Sequence, residues 1–175
     1  MVRTLPKRIA LLRVGADSRC GRIHSPIFED GTFDFLPIPD IDGPRGGATY
    51  GNTIGRTGRP LYEYFPQRRQ DRAKSQAIHA DPEFENFTYG TPTPVQQGLS
   101  RLHPGDLLVF YAGMEGWQCH GAPALYLVGY FEIECCGFAQ ALDPGLVKKR
   151  FARNAHVLHR GRFKEQRDHL VLVAG

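Results

Sequence analysis

Three side chains are the strongest candidates for acid–base or metal chemistry. His79 and Asp81 are two residues apart, and His156 follows far downstream. A histidine titrates near neutral pH, and a carboxylate beside it can orient the ring as a general base or share a metal ion with it. In a structural alternative, Asp81 caps a helix that begins at Pro82. The cysteines and histidines match no usual zinc spacing, so the sequence predicts no metal site and no cofactor.

A second group of candidates has the residue types that recognise nucleotides. The amide of Asn154 offers a donor and an acceptor that suit a base edge, and the guanidinium of Arg160 suits a phosphate. If a helix ends near Arg153, Asn154 and His156 lie in an extended stretch and point the same way; within a helix they cannot share a face. Alternatively, this stretch is a helix end whose basic residues offset the helix dipole.

The loop that follows the first predicted strand carries further polar candidates. Asp17, Ser18, Arg19 and Ser25 lie in it, and binding groups are commonly displayed on such loops. Arg19 could hold a phosphate, while Ser18 and Ser25 could bind phosphate or a base edge. In the structural alternative, Asp17 and Ser18 form a turn, and Ser25 with the proline after it shapes the backbone.

Stacking on a base requires an aromatic face that is open to the ligand. Trp117 lies in a loop with several glycines and is the best stacking candidate. Tyr111 ends an apolar run, and Tyr89 ends the segment that begins at His79. Most other aromatic residues lie in apolar runs and are expected in the core.

Two apolar runs, at residues 106–112 and 124–133, are predicted to position these groups. A connection rich in glycine and polar residues separates them, which favours two antiparallel strands joined by a loop. Both runs are almost continuously apolar, so both of their faces are expected to be covered. Asp143 and Pro144 are typical of a helix start, and residues 170–173 are predicted to form the last strand.

The composition favours a loop-rich β or α+β domain, and together with the predicted elements we expect one α+β domain, residues 1–175, with short helices and long loops. The chain has 175 residues, with 20 Gly and 13 Pro, which argues against a helical bundle. Its net charge of +4 is compatible with a polyanionic partner but does not require one. No apolar run is long enough to span a membrane and no signal-peptide core is visible, so a cytoplasmic protein without a membrane partner is expected.

The central stretch resembles the PUA-like barrels, which include the EVE, ASCH and YTH domains. The features that carry the resemblance are Pro104-Gly105-Asp106, then Phe110-Tyr111, and then Val128-Gly129 with Glu132. This resemblance implies a curved, mainly antiparallel β-barrel whose mouth accepts a base, often a modified one.

Most of the chain also resembles the third type of nucleotide modification associated domain. The segments that carry this resemblance, in chain order, are residues 15–19, 25–39, 79–90, the strand that follows Gly105 and Asp106, and 154–156. The resemblance implies a role in DNA base-modification systems of bacteria or phages. Longer members continue past the last strand, so a fragment or a minimal version is expected.

Together these observations predict a protein that binds a nucleotide or a modified base in DNA or RNA. The site is expected where the first loop, the segment 79–89 and the segment 154–156 meet. An enzyme that processes a nucleotide through His79, Asp81 and His156 is the alternative, and a protein-interaction module without a ligand is the second alternative.

Overall fold

The computed structural model of the chain describes residues 8–18, 23–40 and 47–175. The strands are β1 Ile9–Arg13, β2 Ser25–Ile27, β3 Ile38–Pro39, β4 Ile78–His79, β5 Thr88–Thr91, β6 Leu107–Gly116, β7 Ala124–Glu132, β8 Cys135–Phe138 and β9 Val171–Ala174. The α-helices are α1 Gln67–Lys74, α2 Pro144–Arg150, α3 Ala155–Leu158 and α4 Arg160–Gln166, and 3₁₀ helices span Leu61–Tyr64 and Pro94–Arg101.

These strands form three sheets, one of which contains a parallel pair. β6 pairs with β1, β2 and β7, and β2 runs parallel to β6 with Ser25 opposite Met114. β9 lies between β5 and β8 and is antiparallel to both, while β3 and β4 form a short antiparallel pair. The chain is therefore α+β, but no sheet of the described residues closes into a barrel. The prediction of a curved, mainly antiparallel PUA-like barrel was wrong.

The error arose because an apolar run predicts where a strand lies but does not predict which other strands pair with it. The two central runs are confirmed as paired strands, β6 and β7. However, β9 does not extend their sheet, because its two edges are occupied by β5 and β8. The short strand β2 joins β6 in the parallel direction, which requires a crossover that no local pattern indicates.

The expectation that both faces of β7 are covered was also wrong. Leu125, Leu127 and Tyr130 are exposed, Leu127 at 70% of its surface. In β6, by contrast, Leu108, Phe110 and Ala112 are fully buried at alternate positions. A continuous apolar run therefore does not reveal whether a second layer of the fold lies over each of its faces.

The described chain divides into two compact units. Residues 8–12, 81–110 and 129–175 form the first unit, and residues 13–80 and 111–128 belong to the second. The prediction of a single domain over residues 1–175 stays a prediction.

Aromatic rings dominate the core of the first unit. The rings of Phe110 and Phe131 lie 4.8 Å apart, and Phe84 packs edge-to-face against both. Such tilted contacts are the preferred geometry for aromatic pairs. A second apolar cluster lies beneath the helices; its buried members are Ala139, Val147, Phe151, Leu170, Leu172 and Ala174.

The second unit has its own core around two buried tyrosines. The ring of Tyr50 packs edge-on against Phe65 at 4.7 Å, and its hydroxyl donates to the carbonyl oxygen of Pro37. The hydroxyl of Tyr64 donates to the buried carboxylate of Asp34 at 2.7 Å. These hydrogen bonds satisfy the polar ends of rings whose apolar bodies fill the core.

Polar caps begin two helices of the first unit, α2 and α3. The carboxylate of Asp143 accepts a hydrogen bond from the backbone N–H of Leu146 at 2.8 Å, which confirms the predicted helix start. The alternative in which Asp81 caps a helix at Pro82 is not observed, because the residues after Asp81 form turns and its carboxylate accepts from the backbone of Gly90. Within the described ranges, the helices lack the length and hydrophobicity that a membrane span requires.

Candidate functional site

Asp81 and His156 form a buried acid–imidazole pair in the first unit. Nε2 of His156 lies 3.5 Å from Oδ2 of Asp81, and both side chains are less than 10% exposed. On the other side of the ring, Nδ1 lies 2.8 Å from Oε1 of Gln166. Both ring nitrogens therefore face an oxygen atom that can accept a hydrogen bond, one from the amide of Gln166 and one from the carboxylate of Asp81.

A glycine in β5 allows this pair to form. The N–H of Gly90 lies 3.2 Å from each carboxylate oxygen of Asp81. A Cβ at Gly90 would lie 2.8 Å from Cδ2 of His156 and 2.9 Å from Oδ1 of Asn154, closer than real side-chain contacts. The strand therefore passes close to the imidazole only because this residue has no side chain.

The carboxylate of Glu83 accepts hydrogen bonds at the start of α3. It accepts from the N–H of Ala155 at 2.5 Å, from Nδ2 of Asn154 at 3.1 Å and from the hydroxyl of Thr88. Burial, followed by the charge of the neighbouring Asp81, raises the pKa of Glu83 to about 7, although the three donors act against this rise. We call Asp81, Glu83, Asn154 and His156 the buried polar cluster.

Asn154 links the two halves of the buried polar cluster. Its side chain is completely buried, and its oxygen accepts from the N–H of His156 at 3.1 Å, which makes Asn154 the N-cap of α3. Its amide nitrogen donates to Glu83. The assignment of Asn154 to reading a base edge stays a prediction; in this structure both of its polar groups have protein partners.

The buried polar cluster contains groups that can transfer a proton and two atoms that can bind a metal ion. Asp81 and His156 together offer one oxygen and one nitrogen at a separation that two ligands of a single ion can have. His79, the third catalytic candidate, belongs to the second unit, where its Nδ1 lies 3.6 Å from Oδ2 of Asp40. The catalytic assignment of all three residues stays a prediction.

The candidates of the first loop belong to the second unit, except Arg19, which lies outside the described residues. Oδ2 of Asp17 accepts from the guanidinium of Arg13 at 2.7 Å, while its buried Oδ1 has no partner among the described residues. The hydroxyl of Ser18 donates to the carbonyl of Gly15, as in a turn. Ser25 is buried in β2, and its hydroxyl accepts from the N–H of Leu36. Their roles in nucleotide binding stay predictions.

The three aromatic candidates have different surroundings. Tyr89 is buried in the first unit, packs against Phe110 and donates to Gln96. Trp117 is half-buried in the second unit, edge-on to Tyr64 at 4.9 Å. Tyr111 is half-buried in β6. Stacking on a base stays a prediction for all three.

Arg160 lies at the mouth of a pocket formed by the three C-terminal helices. This cavity of about 570 Å³, which we call the helical pocket, also has Lys148 and Arg167 at its rim. All three cationic side chains are exposed and, within the described residues, none pairs with a carboxylate. The apolar lining comprises Ala139, Leu142, Pro144, Val147, Ala152, Val157, Leu158 and Phe163.

Sequence reasoning missed Glu83, Lys148 and Arg167. Two signals were available for the cations: the segment 144–167 contains eight Lys and Arg against one Glu, and its apolar residues recur with a rough helical period. Glu83 had no such signal, because nothing local distinguishes it from the exposed Glu85.

The family comparison covers nearly the whole chain. The model of nucleotide modification associated domain 3 matches residues 8–174, and its description connects the family with nucleotide modification. Neither the curated proteins nor the solved structures that were compared with the chain include a match. The chain belongs to the nucleotide modification associated domain 3 family.

Proposed function

We propose that this protein binds a nucleotide, free or within a nucleic acid, in the helical pocket. The observation that carries the proposal is the combination of an apolar floor with three cationic side chains at the rim. The volume of about 570 Å³ lies within the usual range for small-molecule sites. The connection of the family with nucleotide modification supports the same ligand class.

The two parts of the pocket match the two parts of a nucleotide. Phe163 and Leu142 are half-buried and lie against the inner apolar cluster, so they present fixed apolar faces to a base or sugar. At the rim, the planar guanidinium of Arg160 can donate two parallel hydrogen bonds to a phosphate. Lys148 and Arg167 add charge without such a fixed geometry.

The segment around the pocket favours an anion over a neutral ligand. Residues 144–167 contain eight Lys and Arg against one Glu, and although Arg150 pairs with Glu134 outside this segment, the remaining excess creates a positive field at short range. Glu165, the single acidic residue of this segment, does not line the pocket. The charge balance therefore disfavours a cationic ligand at this position.

We expect Arg160→Ala to weaken binding of a nucleoside monophosphate by about 10- to 100-fold. A hydrogen bond to a charged group contributes about 1.5–3 kcal/mol, and 1.4 kcal/mol corresponds to tenfold in affinity. The measurement is calorimetry at low salt with adenosine and cytidine monophosphates, their nucleosides, and a short single-stranded DNA. For the DNA, the slope of log affinity against log salt concentration should become shallower by the contribution of about one phosphate contact.

Arg153→Ala is the matched control, because Arg153 is exposed and does not line the pocket. It should retain the affinity of the wild type. An equal loss in both variants would mean that general charge, not the pocket, holds the ligand. Absence of binding by the wild type to every probe at low salt would overturn the proposal.

A second candidate function, an enzyme that acts on a nucleotide, is favoured by the Asp81–His156 pair beside a glutamate whose pKa is about 7. Groups that titrate near the working pH suit general acid–base catalysis. The test is product analysis of nucleotide mixtures incubated with wild type and His156→Gln. Turnover that disappears in the variant, while the folded state is kept, would rank this function first.

A further inference from the structure

The first unit also contains a cavity of about 830 Å³ whose walls are rich in aromatic rings. We call it the aromatic pocket. We propose that it binds a small organic cation of the alkylammonium class. The proposal does not depend on the helical pocket, because the two cavities share no lining residue. The residues that carry the argument are Phe84, Phe87, Tyr130, Phe131, Glu132 and Glu134.

Two rings of the aromatic pocket are open to a ligand. Phe87 is 51% exposed and Tyr130 is 60% exposed, although both line the cavity. The ring of Phe87 packs edge-to-face against the buried Phe131, with 5.9 Å between the ring centroids, and this contact fixes its orientation. The face of an aromatic ring attracts a cation, and the alkyl groups around an ammonium nitrogen gain apolar contact with it.

The backbone conformation of Phe87 is unusual for a bulky residue. Phe87 ends a tight turn between Glu83 and Thr88, whose backbones exchange two hydrogen bonds, and its φ is +51°. Glycine adopts this left-handed conformation easily, whereas a large side chain rarely does. Strained residues of this kind cluster at ligand-binding sites. A phenylalanine where glycine would suit the turn therefore supports a role for the exposed ring in binding.

The charged groups of the aromatic pocket favour a cation. The guanidinium of Arg150 also lines the pocket, but its hydrogen bonds are already made. Its Nε donates to the carboxylate of Glu134 at 3.3 Å, and its terminal nitrogens donate to the backbone oxygens of Asn86 and Gly175 at 2.7 Å. The side chain of Glu132 makes no hydrogen bond or ion pair within the described residues. One uncompensated carboxylate thus lies beside the exposed rings, which suits a cation and disfavours a phosphate.

An NMR titration of the full chain with choline, at constant ionic strength, tests the proposal. The cationic rim of the helical pocket repels choline, so the probe reports on the aromatic pocket. We expect the ring resonances of Phe87 and Tyr130 to shift as choline is added. The uncharged analogue of choline, in which a carbon atom replaces the nitrogen, has the same shape but no charge. It should bind about fivefold more weakly or worse, because it loses the cation–π attraction.

Two variants with matched controls test the ring and the carboxylate separately. Tyr130→Leu should weaken choline binding by about 3- to 30-fold, the scale of one cation–π contact. Its control is Tyr126→Leu, because Tyr126 is exposed on the same strand and does not line the pocket. Glu132→Gln should weaken binding by about two- to fivefold, the scale of an exposed ion pair. Glu85→Gln is the control for charge, since Glu85 is exposed outside the pocket.

Three results would overturn the proposal. One is equal affinity for choline and its uncharged analogue, which would make the pocket merely apolar. Another is an equal loss of choline affinity in Tyr126→Leu and Tyr130→Leu. The third is the absence of any choline-dependent shift at Phe87 and Tyr130. None of these results bears on nucleotide binding in the helical pocket, whose residues are the same in every variant.

Discussion

Replacement of Asn154 by alanine should lower the free energy of unfolding by about 2–4 kcal/mol. The alanine removes the N-cap of α3, a loss of about 1 kcal/mol. It also removes the donor to the buried carboxylate of Glu83, and a buried polar group left without its partner costs about 1–3 kcal/mol. The measurement is urea unfolding followed by circular dichroism at pH 7.

Two further variants sharpen this test. Arg153→Ala changes an exposed neighbour and should alter stability by less than about 0.5 kcal/mol. Asn154→Asp retains an acceptor for the N–H of His156 but places a third carboxylate beside Asp81 and Glu83. Its loss of stability between pH 5 and pH 8 should therefore be larger than that of the wild type. If Asn154→Ala were as stable as the wild type, the buried polar cluster would not hold α3 in place.

Raising the pH from 5 to 8 should destabilise the wild type through Glu83. The pKa of Glu83 is about 7 in the folded state against an ordinary value of 4.5, so the folded chain holds a proton that the unfolded chain has lost. Stability must then fall as pH rises between those two values. The full difference corresponds to a loss of about 3 kcal/mol at high pH, since one pKa unit is 1.36 kcal/mol.

Glu83→Gln should remove this part of the pH dependence. The amide mimics the protonated acid but provides one acceptor fewer for Ala155, Asn154 and Thr88, so the variant should be about 1 kcal/mol less stable at pH 5. At pH 8 it should equal or exceed the wild type. Unfolding free energies at pH 5, 6, 7 and 8 test this, with Glu85→Gln as the exposed control. Parallel profiles for wild type and Glu83→Gln would contradict the prediction.

The two predictions rest on a cluster that local sequence indicated only in part. The residue types of Asp81, Asn154 and His156 marked them as candidates, and the fold brings all three together. Glu83, which accepts hydrogen bonds from Asn154 and from the backbone of Ala155, had no local signal. Its importance arises from burial beneath α3, and burial depends on segments more than 60 residues apart in the chain.

The local sequence was sufficient to predict an element where residues close to it in the chain stabilise it. Asp143 with Pro144 started α2 as predicted, because a cap acts within one turn of the chain. The two central apolar runs became β6 and β7, since their composition favours strands and a connection rich in glycine and polar residues separates them. The segments that resemble nucleotide modification associated domain 3 likewise led to the family that the comparison shows.

Only the tertiary structure decided which strands pair and which faces are covered. The barrel prediction failed because β9 pairs with β5 and β8, and because β2 lies parallel to β6. Backbone hydrogen bonds are the same for every sequence, so the choice of partner depends on packing between distant segments. For the same reason the helical pocket, whose wall comes from several segments, follows from the fold, although the basic residues at its mouth are visible in the sequence.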